Sequence, residues 1–368
     1  MGVLVVNAGS SSLKLRLLDA SDHVLAGHDL PAPRGQADAA TLTDVLADLG
    51  GIDAVGHRIV HGGTQFVESV VVDEAVVGKL RALSDLAPLH QPKSLAALDA
   101  VTAALPAIPA VACFDTAFHA HMPAVAATYA LPVEWRMRWP LRRFGFHGLS
   151  HAYASRRAAE LLGRTREGFR VVTCHLGAGA SLAAVTDGRS VDTTMGFTPL
   201  EGLVMATRSG SLDPGLVLWL EEHVGMPPAE LAATLEHRSG LLGLAGTPDM
   251  RAILAAEEEG QAEARLAVGV YLHRLRAGVA AMTAAMGGLD ALVFTGGVGE
   301  NAAAIRQRTA DGLAFLGLTV DPARNEDAGD REIGSRDARA RTLVVAARED
   351  LEIARQVREV LDRPRAGR

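Results

Sequence analysis

The chain has 368 residues, of which 48% are hydrophobic, 21% charged and 4% aromatic, with a formal net charge of −7. This composition suffices for two packed cores resting on Leu, Val and Ala, and it argues against a disordered or fibrous protein. The negative charge and the lack of a basic stripe argue against nucleic acid as a partner. No apolar run reaches the roughly 18 residues of a membrane helix, and the chain enters a strand directly without a signal pattern, so a soluble, cytoplasmic protein is expected.

The first predicted strand, 3–8, runs into Asn7-Ala8-Gly9-Ser10-Ser11-Ser12 and leaves through a second, 12–19, that carries Lys14. Gly9 lets a backbone approach an anion, and the serine amides and hydroxyls are donors for phosphate or for water around Mg²⁺. Such residues also dominate ordinary turns, and from this segment alone a plain turn is the better reading. A strand at 23–30 and a helix at 38–49 precede the strand 53–60, which ends in Gly56-His57-Arg58-Ile59-Val60-His61-Gly62-Gly63. The guanidinium of Arg58 is a planar charged fork suited to carboxylate or phosphate. Helices at 73–86 and 93–104 flank a proline-bracketed loop that presents Leu89 and His90, and the apolar strand 110–114 delivers Asp115 and His119. His119, His121 and Asp115 have the look of a zinc set, but a catalytic zinc needs three ligands with outer support, and an orienting role for Asp115 is the better reading. Before the helix 150–162, Arg142 to His151 sets His147 between an aromatic and a glycine.

Near the middle the opening returns. Val171 to Gly188 is again apolar strand, Gly/Ser turn and alternating strand, and setting Ser181 against Ser12 suggests a duplicated domain. The glycine-punctuated stretch Met195 to Pro214 carries Pro199 and Arg208, and a loop of that length is costly to order unless it has a task. Helices are predicted at 214–224, 228–236, 249–258 and 261–286, with Asp249 and Arg251 at the start of the third. The strand 291–295 leads through Thr295-Gly296-Gly297-Val298-Gly299-Glu300-Asn301 into a helix reaching about residue 316, a turn suited to phosphate or nucleoside. A solvated loop at 331–341, a strand at 342–346 and a helix at 350–362 close the chain, with Glu349 at the junction. No glycine turn here is a Walker A loop or a Gly-x-Gly-x-x-Gly fingerprint, so a nucleotide binder outside both classes is expected. Cys113 and Cys174 read as core thiols.

Together, Asn7 to Lys14, His57 to Gly63, Leu86 to His90, Phe114 to His119, Arg143 to Gly148, His175 to Gly179, Met195 to Pro214, Asp249 to Arg251 and Thr295 to Asn301 resemble the acetate kinase family. The resemblance implies an α/β fold of two duplicated ribonuclease H-like domains, mixed sheets flanked by helices, with the active site in the interdomain cleft. It implies residues 1–119 plus 352–368 as one domain, 120–351 as the nucleotide-binding and dimerisation domain, and a homodimer. The implied reaction is reversible in-line transfer of the ATP γ-phosphoryl to acetate, giving acetyl phosphate and ADP. Asn7 and Glu349 would hold Mg²⁺ or Mn²⁺; Asp115, His147 and Arg208 would be catalytic. Arg58, Val60, Leu89, His90, Phe146 and Pro199 would receive the substrate. Ser10, Ser12, Lys14, His175, Leu176, Gly177, Ala178, Gly179, Asp249, Met250, Arg251, Gly297, Val298, Gly299, Glu300 and Asn301 would contact ATP or ADP.

The chain departs from the family pattern at Ala178, where Asn is usual, at Arg348 before Glu349, and at Ser211 in place of Asp, and it is shorter between Asp19 and Arg58. Loss of the asparagine side-chain contact predicts looser nucleotide binding. Two rivals remain at this level: the same chemistry on propionate or butyrate, and a non-catalytic ATP-binding regulator on the same fold. Retention of Arg58, His147 and Arg208 together speaks against the regulator.

Overall fold

The computed structural model describes residues 1–9, 12–32, 38–86 and 91–363. The chain falls into two compact units: Met1–His121, Phe146–Tyr153 and Arg348–Arg368 form unit 1, and Met122–Gly145 with Ala154–Ala347 form unit 2.

In unit 1, β1 (Val3–Ala8), β2 (Ser12–Leu18), β3 (Val24–Pro31), β4 (Ala54–Ile59), β5 (Val70–Val71) and β6 (Ala110–Phe114) make one sheet in the order β3-β2-β1-β4-β6-β5. β1, β4 and β6 run parallel, and the outer pairings are antiparallel. β1 is an unbroken apolar run because both of its faces are covered. Leu4 and Val6 join Leu13, Leu15, Leu17, Val55 and Val101 on one side, while Val3 and Val5 meet Ile353, Ala354 and Val357 of the helix Glu349–Asp362 on the other. β2 alternates instead, with its leucines inward and Lys14 outward. Burying an Ile or Val side chain is worth about 1.5–3 kcal/mol, so the Ile353 and Val357 contacts fix that last helix, and with it the position of Glu349 at its start.

In unit 2, β7 (Arg170–Leu176), β8 (Ala180–Thr186), β9 (Arg189–Thr193), β10 (Ala291–Thr295), β11 (Arg331–Glu332) and β12 (Arg341–Val344) form a second sheet in the order β9-β8-β7-β10-β12-β11. Its strand order and its pattern of parallel and antiparallel neighbours repeat those of unit 1 strand for strand. The helix Ala262–Ala285 covers β7, β8 and β9 with Val268, Leu272, Leu275 and Val279 among its buried residues. The expected duplication is therefore present, but its register differs from the Ser12–Ser181 equivalence. Lys14 pairs with Asn7 and Ser181 with His175, because the second hairpin turn is one residue shorter, 177–179 against 9–12.

Several boundaries also move. The helix expected at 73–86 ends at Ala82 and is followed by a short 3-10 turn, and the one expected from 93 begins at Gln91. The single helix expected after residue 295 is three pieces, Gly296–Asn301, Ala303–Asp311 and the 3-10 turn Ala314–Leu316, interrupted where Ala302 leaves helical geometry. The solvated loop at 331–341 opens with β11, which pairs with β12. The short helix Gly240–Ala245 was not anticipated. Aspartates cap several helices as their chemistry favours: Asp38, Asp73, Asp213 and Asp249 each accept a backbone N–H of the first turn. Both cysteines are buried thiols, and burial pushes their pKa up. Among the described residues no helix is long and apolar enough to cross a membrane.

Candidate active site

In unit 1 the carboxyl ends of the three parallel strands converge, the usual place for a ligand in such sheets. β1 supplies Asn7, β4 supplies Arg58, and Asp115 follows β6. Arg58 donates from Nε to Asp115 Oδ1 at 3.1 Å and from Nη2 to Asp115 Oδ2 at 2.6 Å, a two-pronged ion pair. Its Nη1 donates to Asn7 Oδ1 at 3.1 Å, while Asn7 Nδ2 donates to Glu349 Oε2 at 3.0 Å. Glu349 Oε2 also lies 3.7 Å from Arg58 Nε. Burial works against the Arg58 charge, but Asp115 and then Glu349 more than offset it and hold the guanidinium protonated. Burial pushes the Asp115 carboxyl above its ordinary range; Arg58 pulls the other way, and Glu349 adds like-charge pressure.

The backbone of Asp115 anchors a second feature. Gly148 N donates to Asp115 O at 2.9 Å, and a Cβ at position 148 would stand 2.2 Å from that oxygen, so only glycine permits the approach. The residue before it, His147, has φ 55°, a left-handed conformation uncommon outside glycine. Such strain persists where the surroundings over-determine it. Here His119 Nε2 lies 3.1 Å from Phe146 O, and His151 N donates to His147 O at 2.9 Å. The Phe146 side chain, 1% exposed, meets the His61 ring edge-on at 5.5 Å. His61 is clamped by Gln91, whose Oε1 accepts His61 N at 3.1 Å and whose Nε2 donates to His61 O at 3.0 Å. Val60 lies buried just past β4. His119 turned to Phe146 and both Asp115 oxygens on Arg58 give two residues of the zinc reading separate partners.

In unit 2 the ends of β7 and β10, which are parallel neighbours, bring two glycine turns together. Gly177 N donates to Gly179 O at 3.0 Å and Ala178 between them is exposed. Gly296, at φ 79°, sits so close to Leu176 that a Cβ would come within 3.0 Å of its backbone. His175 is half-buried near the end of β7, and Leu176, fully buried, ends it. In the second turn Glu300 faces inward: its Oε1 accepts Gly296 N at 3.0 Å and Ala347 N at 2.9 Å. Asn301 Nδ2 donates to Gly297 O at 2.8 Å; Gly297 is exposed, Val298 half-buried and Gly299 buried.

Arg208 is held by Glu236, Nε to Oε1 at 2.5 Å, and its Nη1 reaches Pro199 O at 3.5 Å, so the two predicted residues of this loop share one anchor. Asp249 caps the helix Met250–Glu258 and pairs with the exposed Arg251; the Met250 side chain is core, 3% exposed. The hydrogen bonds from Arg251 lower the Asp249 pKa. Ser211 Oγ accepts Gly202 N at 3.1 Å, so the hydroxyl caps this turn, and Arg348 turns to Asp350 at 2.9 Å. Lys14 is exposed on β2 opposite Asn7, and Ser12 O accepts Gly9 N at 2.8 Å. Ser10, Leu89 and His90 lie outside the described residues. The sequence reading missed Glu236, Gln91 and the brace at residue 201, where Arg143 Nη2 and Tyr129 Oη each donate to the Glu201 carboxylate at 2.6 Å. Arg143, Glu201 and Gln91 lay inside segments that stood out, without a role assigned to them, whereas Glu236 and Tyr129 did not.

The profile of the Acetokinase family matches residues 35–355. An acetate kinase of Pseudothermotoga lettingae is 42% identical, with 98% of each chain covered, and one of Gloeobacter violaceus is 43% identical, covering 97% of this chain and 98% of that one. Among solved structures, Porphyromonas gingivalis acetate kinase is similar with a TM-score of 0.91 at 36% identity, covering 98% of this chain and 100% of that chain. A propionate kinase from Francisella tularensis is similar at 0.90 and 36%, covering 98% and 99%.

Proposed function

The chain belongs to the acetokinase family, kinases that phosphorylate a carboxylate, and we propose that its acceptor is acetate, its donor ATP, and its products acetyl phosphate and ADP. The observation that carries this reading is the Arg58 fork, fixed by Asp115 and Asn7 at the ends of three parallel strands. Phosphoryl transfer asks for alignment and for positive charge around the equatorial oxygens more than for covalent help. A carboxylic acid of pKa about 4 is already ionised at neutral pH, so no general base is needed. Asp115 therefore acts on Arg58 and not on a proton: it fixes the plane of the guanidinium that receives the carboxylate or acyl phosphate. His147, held by its strained turn, and Arg208, held by Glu236, donate to the transferring group. Phe146 and Val60 would border the methyl group.

The donor set of unit 1 suits a magnesium ion. Asp115 and Glu349 face one guanidinium, which leaves one negative charge over, and the ligands on offer are hard oxygens. Mg²⁺ typically takes one or two carboxylates plus water and phosphate oxygens and needs no all-protein cage. Asn7 and Glu349 would hold the ion, and when bound it would neutralise charge on the phosphate oxygens. The glycine turns at 177–179 and 297–301 would take the nucleotide through backbone amides, with Asp249 and Arg251 beside it. We further propose a homodimer working in the cytoplasm.

Propionate is the second reading, because a propionate kinase is as similar in structure as an acetate kinase is. One methylene is worth only about 1–3 kcal/mol of discrimination. The test is the purified protein with ATP, Mg²⁺ and each of acetate, propionate and butyrate, any acyl phosphate being trapped with hydroxylamine. The highest kcat/KM is expected with acetate. A higher value with propionate reassigns the acceptor, and product from none of the three overturns the transfer reaction.

A further inference from the structure

Arg306, on the helix Ala303–Asp311, heads the fully buried side chains by volume and is 2% exposed. Its Nε donates to Asn325 Oδ1 at 2.7 Å and its Nη2 to Asn325 O; its Nη1 donates to Gly299 O at 3.0 Å and to Glu300 O at 2.7 Å. Every one of these acceptors is neutral. A guanidinium out of water is ordinarily matched by a carboxylate, because an unmatched buried charge is costly. Here burial, with Arg331 adding like charge and Glu326 only partly compensating, brings the pKa down to about 10, which still leaves a cation at neutral pH.

The two carbonyls that Arg306 gathers belong to the turn Gly297–Asn301. The same turn is held on its other bonds by Glu300 Oε1, which takes Gly296 N and Ala347 N, and by Asn301 on Gly297 O. With its carbonyls drawn inward to Arg306, the turn keeps Gly297 exposed to solvent. Asn325 is in turn secured by its Nδ2, which donates to Ala303 O at 2.9 Å, so the guanidinium is braced from behind. A salt bridge in its place would have cancelled the charge; a neutral aliphatic residue would have left both carbonyls without a donor.

We propose that Arg306 is a positioning residue for the nucleotide: it shapes the Gly297–Asn301 turn through two carbonyls and keeps behind it a positive charge that no carboxylate cancels and that favours the anionic phosphates. The inference rests on the reading of this turn as a nucleotide contact and adds the residue that sets it. Arg306→Lys keeps the charge and loses the fork, Arg306→Met loses both, and Asn325→Asp cancels the charge and keeps an oxygen for Arg306 Nε while giving up the bond to Ala303 O.

The experiment measures ADP affinity by calorimetry, KM for ATP and for acetate separately, and thermal melting of each variant. Arg306→Met is expected to weaken ADP and raise the KM for ATP by about tenfold, the scale of one charged hydrogen bond, with the KM for acetate within about twofold. Arg306→Lys should fall between Met and the parent, and Asn325→Asp should weaken ADP severalfold in a folded protein. Folded variants with unchanged ADP affinity, or with ATP and acetate KM values rising in parallel, overturn the proposal. Should Arg306→Met not fold, Asn325→Asp decides by the same criteria. Calorimetry with ADP requires no acceptor, so a parent that binds ADP but makes no acyl phosphate sinks the acetate reading and leaves this one standing. A parent that binds no ADP removes the nucleotide reading itself.

Discussion

The two sheets share strand order and strand sense, yet their carboxyl ends are chemically opposite. In unit 1 the strand ends carry side-chain charge, Arg58 and Asp115, and the Asn7 amide links Arg58 to Glu349 at the start of the last helix. In unit 2 two of the three equivalent strands, β7 and β10, run into glycine turns, in which Ala178 and Gly297 are exposed. His175 occupies the hairpin position that Asn7 holds in unit 1, and Ser181 that of Lys14. One topology thus supports an ionic site in one copy and a backbone site in the other, because the topology specifies where strands end and leaves the residues there open.

The contrast is broken most severely at Arg58. Arg58→Ala strands Asp115, whose side chain is 1% exposed, next to Glu349 without its cation. Removing one partner of a buried pair costs about 3–5 kcal/mol, which for a chain of this size lowers Tm by roughly 10 °C. We expect acyl phosphate formation to fall at least about a thousandfold beyond the loss of folded protein. A variant that melts with the parent and turns over within tenfold of it removes Arg58 from both roles.

Arg208 tests an ion pair of unit 2, the unit in which β7 and β10 run into glycine turns. Arg208→Ala is expected to cost about 3–4 kcal/mol of barrier, a loss of 10²–10³ in kcat, and Glu236→Gln less, since the arginine stays but its anchor weakens. Steady-state kinetics on folded protein decide this, and equal effects of the two substitutions would mean that the pair acts structurally.

Acid sharpens the comparison differently. His57, His61 and His119, all in unit 1 and at most 1% exposed, are held neutral by burial, with pKa values lowered to about 4. The unfolded chain takes up these protons near pH 6.5, so their contribution is complete above that value and is lost as pH falls toward 4, at most about 3 kcal/mol for each histidine. Hydrogen exchange at pH 7 and pH 5 should therefore show unit 1 losing protection ahead of unit 2. Earlier loss in unit 2 contradicts the assignment.

The smallest effect is expected at the exposed Ala178. Ala178→Asn restores the side chain usual in the family and should tighten ADP by about threefold to tenfold, about one hydrogen bond, without altering the KM for acetate. An unchanged nucleotide affinity means that the departure is silent.

How far the sequence could be read follows from the range of the forces involved. β1 was legible because two covered faces demand an unbroken apolar run, and the glycine turns because few other residues tolerate that geometry. Arg58, Asp115 and Asn7 stood at strand ends and were legible as candidates, but not their hydrogen bonds, since nothing local announces that strands so far apart in sequence are neighbours. Glu236 looked like any helical acid, and Arg306 like a surface arginine; only the packed structure shows the first beneath Arg208 and the second inside the protein. The hairpin register slipped because a turn shortened by one residue looks the same in composition.

Unit 1 is discontinuous in the chain, and the helix that covers Val3 and Val5 begins only at Glu349. During synthesis β1 must therefore wait, one greasy side bare, until translation has passed through unit 2 and made that helix. A nascent chain stalled before that helix should need chaperone shelter, whereas unit 2 has all its strands by Val344 and can settle first.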